Sequence, residues 1–447
     1  MLALTVVSVC LIKNMSIEEI YQRFKNSNKI CTDTRKIEKY DLFFALKGDN
    51  FNGNKYAEQA IQNGANYAII DEAEFNTSPQ CILVDSVLET LQKLANYHRK
   101  TFNIPVIGLS GSNGKTTNKE LLKAALSSTY KVHATLGNLN NHIGVPLTLL
   151  AMPLDTKMAI IEMGANHQKE IAELCQIAEP THGYITNIGK AHLEGFGGLE
   201  GVRKGKGELY DFLKASLGYA FINESNEILM SMAFKKELTQ IIYYGRTSHK
   251  LELILDSPVI SWKDLSTDLT YTSSVLSGAY NFENIQAAYA IARFFNVAAK
   301  ATSEALSNYV PDNNRSQIIH KGENEVYLDA YNANPSSMEA AVRNFSNLET
   351  PKGKVVFLGD MFELGEFSEI EHQNLGKLVK EGNFETVVLF GEQMKHALKN
   401  LPQAYYFTDK FSIHNWILDK KFEDKVILIK GSRGVKLETL LNFIGVD

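Results

Sequence analysis

Residues 108–117 read Gly-Leu-Ser-Gly-Ser-Asn-Gly-Lys-Thr-Thr, a segment whose composition suits the binding of a polyphosphate. It follows the apolar run 104–107 and precedes the helix-like segment 118–126. A glycine-rich turn between a buried strand and a helix N-terminus aims backbone N–H groups and the positive end of the helix dipole at one point. Lys115 would reach the β- and γ-phosphates, and the Thr116 hydroxyl would face Mg²⁺. The segment predicts ATP or a close relative as ligand, and an ordinary tight turn is the less favoured interpretation.

The glycine spacing of this loop differs from the common P-loop pattern. Leu109 stands where the first glycine belongs, with Gly108 and Gly111 on either side. The strand, the Gly-Lys-Thr sequence and the following helix nevertheless keep the order that a phosphate loop requires. The loop residues expected to contact the nucleotide are Gly111, Ser112, Asn113, Gly114, Lys115, Thr116 and Thr117.

Three further residues could contribute to the same site. Glu162 ends the apolar run 158–163, and His192 follows the next apolar run, 183–188. Ligands of open parallel sheets bind beyond the carboxyl ends of the strands, so Glu162 could ligate Mg²⁺ together with phosphates and waters. A capping or surface glutamate is the alternative, and a histidine in such a position is by itself more often packed or exposed than a ligand. Lys206, taken alone, is a solvated lysine on or just before a helix.

Asn281 and Asn284 are three residues apart, so they share one face of a helix. Two carboxamides at the start of a helix can recognise the edge of an adenine ring. Asparagine is also a common N-cap residue, and from these residues alone capping is the favoured interpretation.

Composition and charge narrow the class of protein. A chain of 447 residues predicts about three domains, and 44% apolar residues suffice for several cores. The net charge of −5, without a basic stripe, argues against nucleic acid as a partner. The cysteines have no paired spacing that would suggest zinc or a redox dithiol, so we expect reduced thiols and the cytosol. These cysteines are Cys10, Cys31, Cys81 and Cys175.

The first residues form an apolar segment that does not fit a targeting signal. Residues 1–12 are too few to cross a bilayer, and no basic start precedes them. Met15 precedes Ser16, which with Glu19 has the spacing of a capping box. We therefore expect residues 1–14 to be an upstream extension or a tail, and we expect no membrane association.

Apolar runs that alternate with helical segments predict three α/β units in series, 15–97, 98–310 and 311–447. In the middle unit, strands are expected at 158–163, 183–188, 218–222 and 241–244, and they predict a parallel sheet covered on both faces. The stretch 251–276 alternates polar and apolar residues, which predicts antiparallel strands, and 281–295 predicts a buried helix. The last unit shows a doubly wound pattern, with a helix expected at 437–443.

Taken together, the motifs resemble the Mur ligases and their relative folylpolyglutamate synthase, which are ATP-dependent amide-forming enzymes. The resemblance runs from about residue 30 through almost the whole chain. It rests on the loop GLSGSNGKT, on Glu162, on the His192 segment, on GAYNFENIQAA, on Arg315 in NNRSQ and on Asp329 in YLDAYNANPSSM. It implies three domains: a UDP-sugar-binding N-terminal α/β domain, a central P-loop ATP-binding domain and a C-terminal Rossmann-like ligase domain.

Within the family, the segment from Asp329 to Met338, followed by LGDMFELG and KGSRG, resembles the branch that adds D-alanyl-D-alanine to UDP-N-acetylmuramoyl-tripeptide. A third-residue-adding Mur ligase and a folylpolyglutamate-type ligase remain as alternatives. The N-terminal TDTR and DLFFALKG resemble a UDP-sugar module, which folylpolyglutamate synthase lacks. The substrate-binding residues expected on this basis are Thr34, Arg35 and Lys47 for the UDP-sugar, and Asn332, Asn334, Ser336 and Ser337 for the dipeptide.

The resemblance also implies a mechanism. A peptide carboxylate attacks the γ-phosphate of ATP to give an acyl phosphate, and the amine of D-alanyl-D-alanine then displaces phosphate. Thr116 and Glu162 would hold one Mg²⁺, and His192 with a carbamylated Lys206 would serve a second metal. Lys115, His192, Lys206 and Arg315 are the expected catalytic residues, while Asn281, Asn284, Arg315 and Asp329 would contact ATP. The partners implied are small-molecule substrates, and we expect a monomer.

Overall fold

The computed structural model describes residues 15–245, 250–311 and 317–445. These residues form two compact units. The first unit extends to Asn103 and includes His142–Leu154 and Gln176–Glu179. The second contains Ile104–Asn141, Asp155–Cys175 and the chain from Pro180 onward. Residues 1–14, Cys10 among them, lie outside the described residues. The expectation that they are an upstream extension or a tail therefore stays a prediction.

A small parallel sheet forms the centre of the first unit. Its strands, in spatial order, are Ile30–Cys31, Leu42–Phe44, Tyr67–Ile70 and Cys81–Leu83. The helices of this unit are Ile17–Lys25, Ala57–Gln62, Val87–Lys100 and Gly144–Leu150. Ser16 and Glu19 form the predicted capping box at the first helix. The helix Val87–Lys100 continues past the predicted boundary at 97, and the predicted domain boundaries themselves stay a prediction.

A second parallel sheet lies in the first part of the second unit. Its strand order is Ile241–Tyr244, Tyr219–Asn223, His182–Ile185, Val106–Ser110, Met158–Glu162 and Val132–Ala134. Every residue of Val106–Ser110 and Met158–Glu162 is buried, as the uniformly apolar runs predict for a sheet covered on both faces. The helices around it are Lys115–Ser127, Glu170–Ala178, Leu193–Phe196, Leu199–Ser216, Glu227–Lys235, Ala279–Phe294 and Ala299–Ser307.

The predicted antiparallel strands form a separate three-stranded sheet, Leu251–Leu255, Ser261–Asp264 and Leu269–Thr272. Trp262 on the middle strand is fully buried. It belongs to one core with side chains of the helices Lys115–Ser127 and Ala279–Phe294. This sheet therefore fixes the helix that carries Asn281 and Asn284 against the P-loop helix.

The last part of the second unit has a six-stranded sheet. Its order is Gln317–Lys321, Asn324–Asp329, Lys425–Lys430, Gly353–Gly359, Thr386–Phe390 and Tyr405–Phe407, and only the first pair is antiparallel. Its helices are Pro335–Asn347, Ser368–Glu381 and Lys410–Lys420. The helix predicted at 437–443 is instead the 3₁₀ segment Leu437–Asn442. Its N-cap residue, Lys436, has a left-handed backbone conformation.

Short 3₁₀ segments connect many of these elements. They are Thr34–Lys36, Gly53–Tyr56, Ala73–Phe75, Gly365–Phe367, Gln393–Asn400 and Arg433–Val435. A two-stranded hairpin pairs Lys47–Gly48 with Phe51–Asn52. Cys31, Cys81 and Cys175 are buried free thiols. Within the residues that the structure describes, we find no helix with both the length and the apolar character needed to span a bilayer.

Candidate active site

The glycine-rich loop lies at the carboxyl end of the strand Val106–Ser110, between two neighbouring strands of the same sheet. Gly114 is the N-cap of the helix Lys115–Ser127 and has φ = 75°. Gly111 has φ = 136°, and a Cβ there would lie 2.0 Å from Thr186 Oγ1. Glycine is therefore required at Gly111 both by the backbone conformation and by the close approach of Thr186.

Hydrogen bonds join the loop to Thr186 and Asn187, which follow the neighbouring strand His182–Ile185. Ser112 N–H donates to the Asn187 carbonyl at 3.0 Å, and Asn113 N–H donates to Asn187 Oδ1 at 3.0 Å. Thr186 Oγ1 donates to the Asn113 carbonyl at 2.6 Å. Because the loop conformation is held by these bonds, its N–H groups are preorganised for a ligand.

Lys115, the first residue of the helix, is half-buried and turns back over the loop. Its Nζ donates to the Gly111 carbonyl at 2.8 Å and to the Ser112 carbonyl at 3.3 Å. The adjacent Thr116 and Thr117 are buried. The ammonium of Lys115 thus lies beside the loop that would cradle the phosphates.

Thr116, in the first turn of the helix Lys115–Ser127, meets Glu162, the last residue of the strand Met158–Glu162. Thr116 Oγ1 donates to Glu162 Oε1 at 3.3 Å, and Glu162 is 1% exposed. Asn140 Nδ2 donates to the same carboxylate oxygen at 2.8 Å. The other oxygen, Oε2, is buried and has no hydrogen-bond partner among the described residues.

An unsatisfied buried carboxylate oxygen beside a threonine hydroxyl fits a hard divalent cation. Mg²⁺ typically takes one or two carboxylates and completes its shell with phosphate oxygens and waters. No three His, Cys, Asp or Glu side chains of the described segments gather in a way that could hold a metal ion. The donor set of Thr116 and Glu162 therefore fits Mg²⁺ that is shared with a bound nucleotide, and does not form an all-protein cage.

His192 contacts the C-terminal part of the second unit, which contains Glu363. It has φ = 54° and precedes the short helix Leu193–Phe196. Its Nδ1 is hydrogen-bonded to the Glu363 carboxylate, and this bond lowers the pKa of Glu363. Glu194 N–H also donates to the Glu363 carbonyl at 3.2 Å. His192 thus contacts the part of the second unit that carries Glu363. Among the described residues, no cluster of three His, Cys, Asp or Glu side chains that could hold a metal joins His192 to Glu162.

Lys206 is not the solvated lysine that its sequence context suggests. It lies inside the helix Leu199–Ser216 and is 0% exposed. Its Nζ donates to the Ala165 carbonyl at 2.8 Å and lies 5.0 Å from the ring centre of Phe196. Burial, with a smaller contribution from the charge of Lys115, lowers the pKa of Lys206 well below its usual value. Burial favours the neutral form of an amine, and the neutral amine is the form that reacts with carbon dioxide.

Asn281 and Asn284 are not N-caps, because Gly278 holds that position with φ = 90°. Asn281 Nδ2 donates to the Ser277 carbonyl at 2.9 Å, and Asn284 Nδ2 donates to Asn281 Oδ1 at 3.1 Å. Asn118 Nδ2, in turn, donates to Asn284 Oδ1 at 2.7 Å. The two carboxamides therefore connect the start of this helix to the P-loop helix, next to Gly114.

A partly open cleft lies beside this helix start. Tyr280 lines it on one side, and Asp329, Asn344 and Phe345 line it on the other. The Asp329 carboxylate is also ion-paired with Lys430, whose side chain is 1% exposed. Arg315, the other residue expected at the nucleotide, lies outside the described residues.

The segment expected to bind the dipeptide contacts the P-loop. Asn334 is the N-cap of the helix Pro335–Asn347 and forms a capping box with Ser337. Its Nδ2 also donates to Asn113 Oδ1 at 2.7 Å. Ser336 Oγ accepts the Lys190 N–H at 2.9 Å. Asn332, which is exposed, accepts the Ala333 N–H through its own Oδ1.

The residues expected to bind the UDP-sugar belong to the first unit. Thr34 and Arg35 lie in the 3₁₀ segment Thr34–Lys36, and Arg35 forms a two-pronged ion pair with Asp33 that lowers the pKa of this carboxyl to about 2. Lys47 is exposed and pairs with Asp71 at 3.0 Å and with Glu72 at 3.3 Å. Both cations therefore have carboxylate partners with which a ligand would have to compete.

Sequence reasoning missed several residues of this region. Asn140 and Lys119 both contact the surroundings of Glu162, and Glu363 and Glu371 pair with His192 and Lys190. Asn140 lies in the asparagine-rich segment Asn138 to Asn141, which could have drawn attention to it. Lys119 gives no local signal, because a lysine in KTTNKELL reads as an exposed helix residue.

Comparison with protein families matches most of the chain to Mur ligases. "Mur ligase middle domain" matches residues 109–292, "Mur ligase, glutamate ligase domain" matches 314–433, and "Mur ligase family, catalytic domain" matches 27–107. A curated relative from Bacillus subtilis, UDP-N-acetylmuramoyl-tripeptide--D-alanyl-D-alanine ligase, is 34% identical over 92% of this chain and 92% of its own length. The chain belongs to the Mur ligase family.

Solved structures of Mur ligases share the fold. MurF from Acinetobacter baumannii superposes with a TM-score of 0.85 at 29% identity and covers 96% of this chain and 98% of its own. The MurF ligase of Thermotoga maritima in complex with ADP has a TM-score of 0.83 at 25% identity, covering 94% and 98%. The expected three-domain Mur ligase fold with a central P-loop domain and a Rossmann-like C-terminal domain is therefore confirmed.

Proposed function

We propose that this chain is the ATP-dependent amide ligase that adds D-alanyl-D-alanine to UDP-N-acetylmuramoyl-tripeptide, a step of peptidoglycan precursor synthesis. The reaction type rests on one geometric observation: Thr116 Oγ1 lies 3.3 Å from Glu162 Oε1, beside the P-loop, with Glu162 Oε2 still lacking a hydrogen-bond partner among the described residues. The substrates rest on the relatives that carry this name at 34% identity. The ADP bound by the Thermotoga maritima relative supports the choice of nucleotide.

In this proposal the chain supplies position and charge, which is what phosphoryl transfer needs most. Lys115 and the loop N–H groups would bind the β- and γ-phosphates while the peptide carboxylate attacks the γ-phosphate. Mg²⁺, held by Thr116 and Glu162 when it is bound, would neutralise phosphate charge. ADP would leave as the acyl phosphate forms, and the amine of D-alanyl-D-alanine would then attack the acyl carbon, which forms the amide and releases phosphate.

Contacts within the second unit would exclude water from the acyl phosphate. Asn334 bonds to Asn113 of the P-loop, and Ser336 Oγ accepts the Lys190 N–H. These contacts bring the segment that we assign to the dipeptide next to the segment that we assign to ATP. Hydrolysis of the acyl phosphate would compete with amide formation if this part of the site were open.

The remaining residues are assigned as follows. The adenosine would lie in the cleft beside Asn281 and Asn284, with Asp329 and Arg315 directed to the nucleotide. His192 and a carbamylated Lys206 would serve a second metal. Carbamylation is supported by the burial of Lys206 and by its lowered pKa. Thr34, Arg35 and Lys47 would bind the UDP-sugar.

Location and assembly belong to the same proposal. The buried free thiols of Cys31, Cys81 and Cys175 support a reducing compartment such as the cytoplasm. A monomer and the absence of nucleic acid and membrane partners stay predictions.

A phosphate-release assay tests the function. Purified protein with ATP and Mg²⁺ is given UDP-N-acetylmuramoyl-tripeptide together with D-alanyl-D-alanine, and in parallel runs with single amino acids or with a folate and glutamate. We expect phosphate release and a new amide product with the first pair. Turnover only with a single amino acid would move the assignment to another Mur-type ligase. Slow turnover that ignores every amine would point to a nucleotide-binding regulator.

A further inference from the structure

Lys119 is a fully buried cation one helical turn after Lys115. Its side chain is 0% exposed, although lysine is almost never fully buried without partners. Its Nζ donates to the Thr135 carbonyl at 2.6 Å and to the Gly137 carbonyl at 3.2 Å. It forms one ion pair with Glu120 at 2.9 Å and lies 4.0 Å from Glu162 Oε2. The ammonium thus lies between a loop, its helix neighbour and the carboxylate assigned to the metal.

The loop that Lys119 holds is the one that positions Glu162. Thr135 Oγ1 accepts the Glu162 N–H at 2.9 Å. Asn140 Nδ2 donates to Glu162 Oε1 at 2.8 Å, and the Gly164 N–H donates to the Asn140 carbonyl at 2.8 Å. Residues 135–140 are therefore joined to the Glu162 strand at both ends, and Lys119 joins them to the P-loop helix.

The charges explain why a lysine stands here. Glu162 Oε2 has no hydrogen-bond partner in the described chain, and the ammonium of Lys119 is the cation beside it. At 4.0 Å in a buried site, the interaction between two charges is several-fold stronger than in water. The same ammonium would repel a second cation that approaches this oxygen.

We propose that Lys119 is the resident counter-ion of Glu162, which positions this carboxylate and keeps the nucleotide-free site from binding a divalent cation tightly. A divalent cation would then enter together with the negative charge of the triphosphate. This inference rests on the proposed function for the identity of the site. Lys119 is a positioning residue in this scheme, because it acts on the metal through Glu162.

The test measures Mn²⁺ binding to the full-length, nucleotide-free protein by the electron paramagnetic resonance signal of free Mn²⁺. Lys119→Met removes the charge and keeps the length of the side chain, and we expect it to bind Mn²⁺ about tenfold more tightly than the wild-type protein. Lys119→Arg keeps the charge and is expected to stay within about twofold of wild type. Adding Glu162→Gln to Lys119→Met is expected to abolish the gain.

Lys123→Met is the matched control, because Lys123 lies on the same helix, one turn further along, and is exposed. It changes the net charge by the same amount and should leave Mn²⁺ binding unchanged. Equal or weaker Mn²⁺ binding by folded Lys119→Met would overturn the proposal. Lys119→Gln, which keeps donors for the loop carbonyls, replaces it if the methionine variant does not fold. If neither folds, Lys119 serves the core and the proposal is also overturned.

These measurements use no ligase substrate, so they separate two kinds of failure. A normal pattern of Mn²⁺ binding without D-alanyl-D-alanine ligation would refute the proposed function alone. Ligation by the wild-type protein with no gain of Mn²⁺ affinity in Lys119→Met would refute the role of Lys119 alone.

Discussion

Replacing Lys206 with methionine is expected to make the protein more stable and, at the same time, much less active. Lys206 is 0% exposed, and burial lowers its pKa well below the usual lysine value. The folded state therefore bears the cost of removing this amine from water and of disfavouring its charged form. Methionine has nearly the same length and no polar head group, so it can fill the same space without that cost.

The structure allows the magnitude to be worked out. Lys206 makes a hydrogen bond to the Ala165 carbonyl at 2.8 Å, and its loss should destabilise by about 1 kcal/mol. Release from the burial penalty should contribute several kcal/mol in the opposite direction, so the net stabilisation is about 1–3 kcal/mol. Ligase activity should fall on the order of 10²-fold, because the variant cannot form the negatively charged carbamate that we assign to the second metal.

Denaturant unfolding and the phosphate-release assay measure the two effects on the same preparation. Lys204→Met is the control, because Lys204 lies on the same helix and is exposed. We expect it to change neither quantity appreciably. A Lys206→Met protein that is less stable than wild type would show that the amine stabilises the fold. Full activity in that variant would remove Lys206 from the site.

Three further predictions follow from individual contacts. Lys115→Ala should lower kcat by about 10³-fold or more with little change in thermal unfolding, because Lys115 is half-buried and its ammonium lies on the loop; retained turnover would reject the phosphate assignment. Glu371→Gln should lower kcat/KM about three- to tenfold, since it removes the 2.6 Å ion pair with Lys190, whereas Glu369→Gln, whose partner is Lys399, should not. His182→Phe should make the free energy of unfolding depend less on pH between pH 6.5 and pH 4. Burial among aromatic rings lowers the pKa of His182 from 6.5 to about 4. Between pH 6.5 and pH 4, the unfolded chain therefore binds a proton at this residue that the folded chain does not bind. The wild-type free energy of unfolding should therefore fall by about 3 kcal/mol more than that of the variant from pH 6.5 to pH 4, and parallel curves would contradict this.

Much of the fold could be predicted from short-range patterns. The strand at 241–244 has the predicted bounds, and the helix predicted at 281–295 is Ala279–Phe294. Both follow from runs of apolar residues, whose period and length can be read from the sequence alone. The 3₁₀ segment at the C-terminus was predicted as a helix because the apolar spacing of the two is similar over so few residues.

The candidate site was predictable only in part. The phosphate loop and Glu162 could be found because each lies at the end of a buried strand, and Thr116 because it follows the loop at the start of the helix. The capping interpretation of Asn281 was wrong because Gly278 is the N-cap and the helix begins at Ala279, two residues before the predicted start. The burial of Lys206 could not be foreseen, since it depends on Phe196 and on the Ala165 carbonyl, which lies 41 residues earlier in the chain.

Local sequence patterns suffice to predict the strands, the glycine turn at Gly111, the capping box at Ser16 and the order of the family motifs. Which charged side chains contact each other became known from the three-dimensional fold. Lys119 faces Glu162, and His192 reaches Glu363 across 171 residues of chain. The reason is physical, because backbone conformation and apolar burial depend on neighbours along the chain. The partner of a charge depends instead on which strand ends the fold brings together and on how much water remains between them.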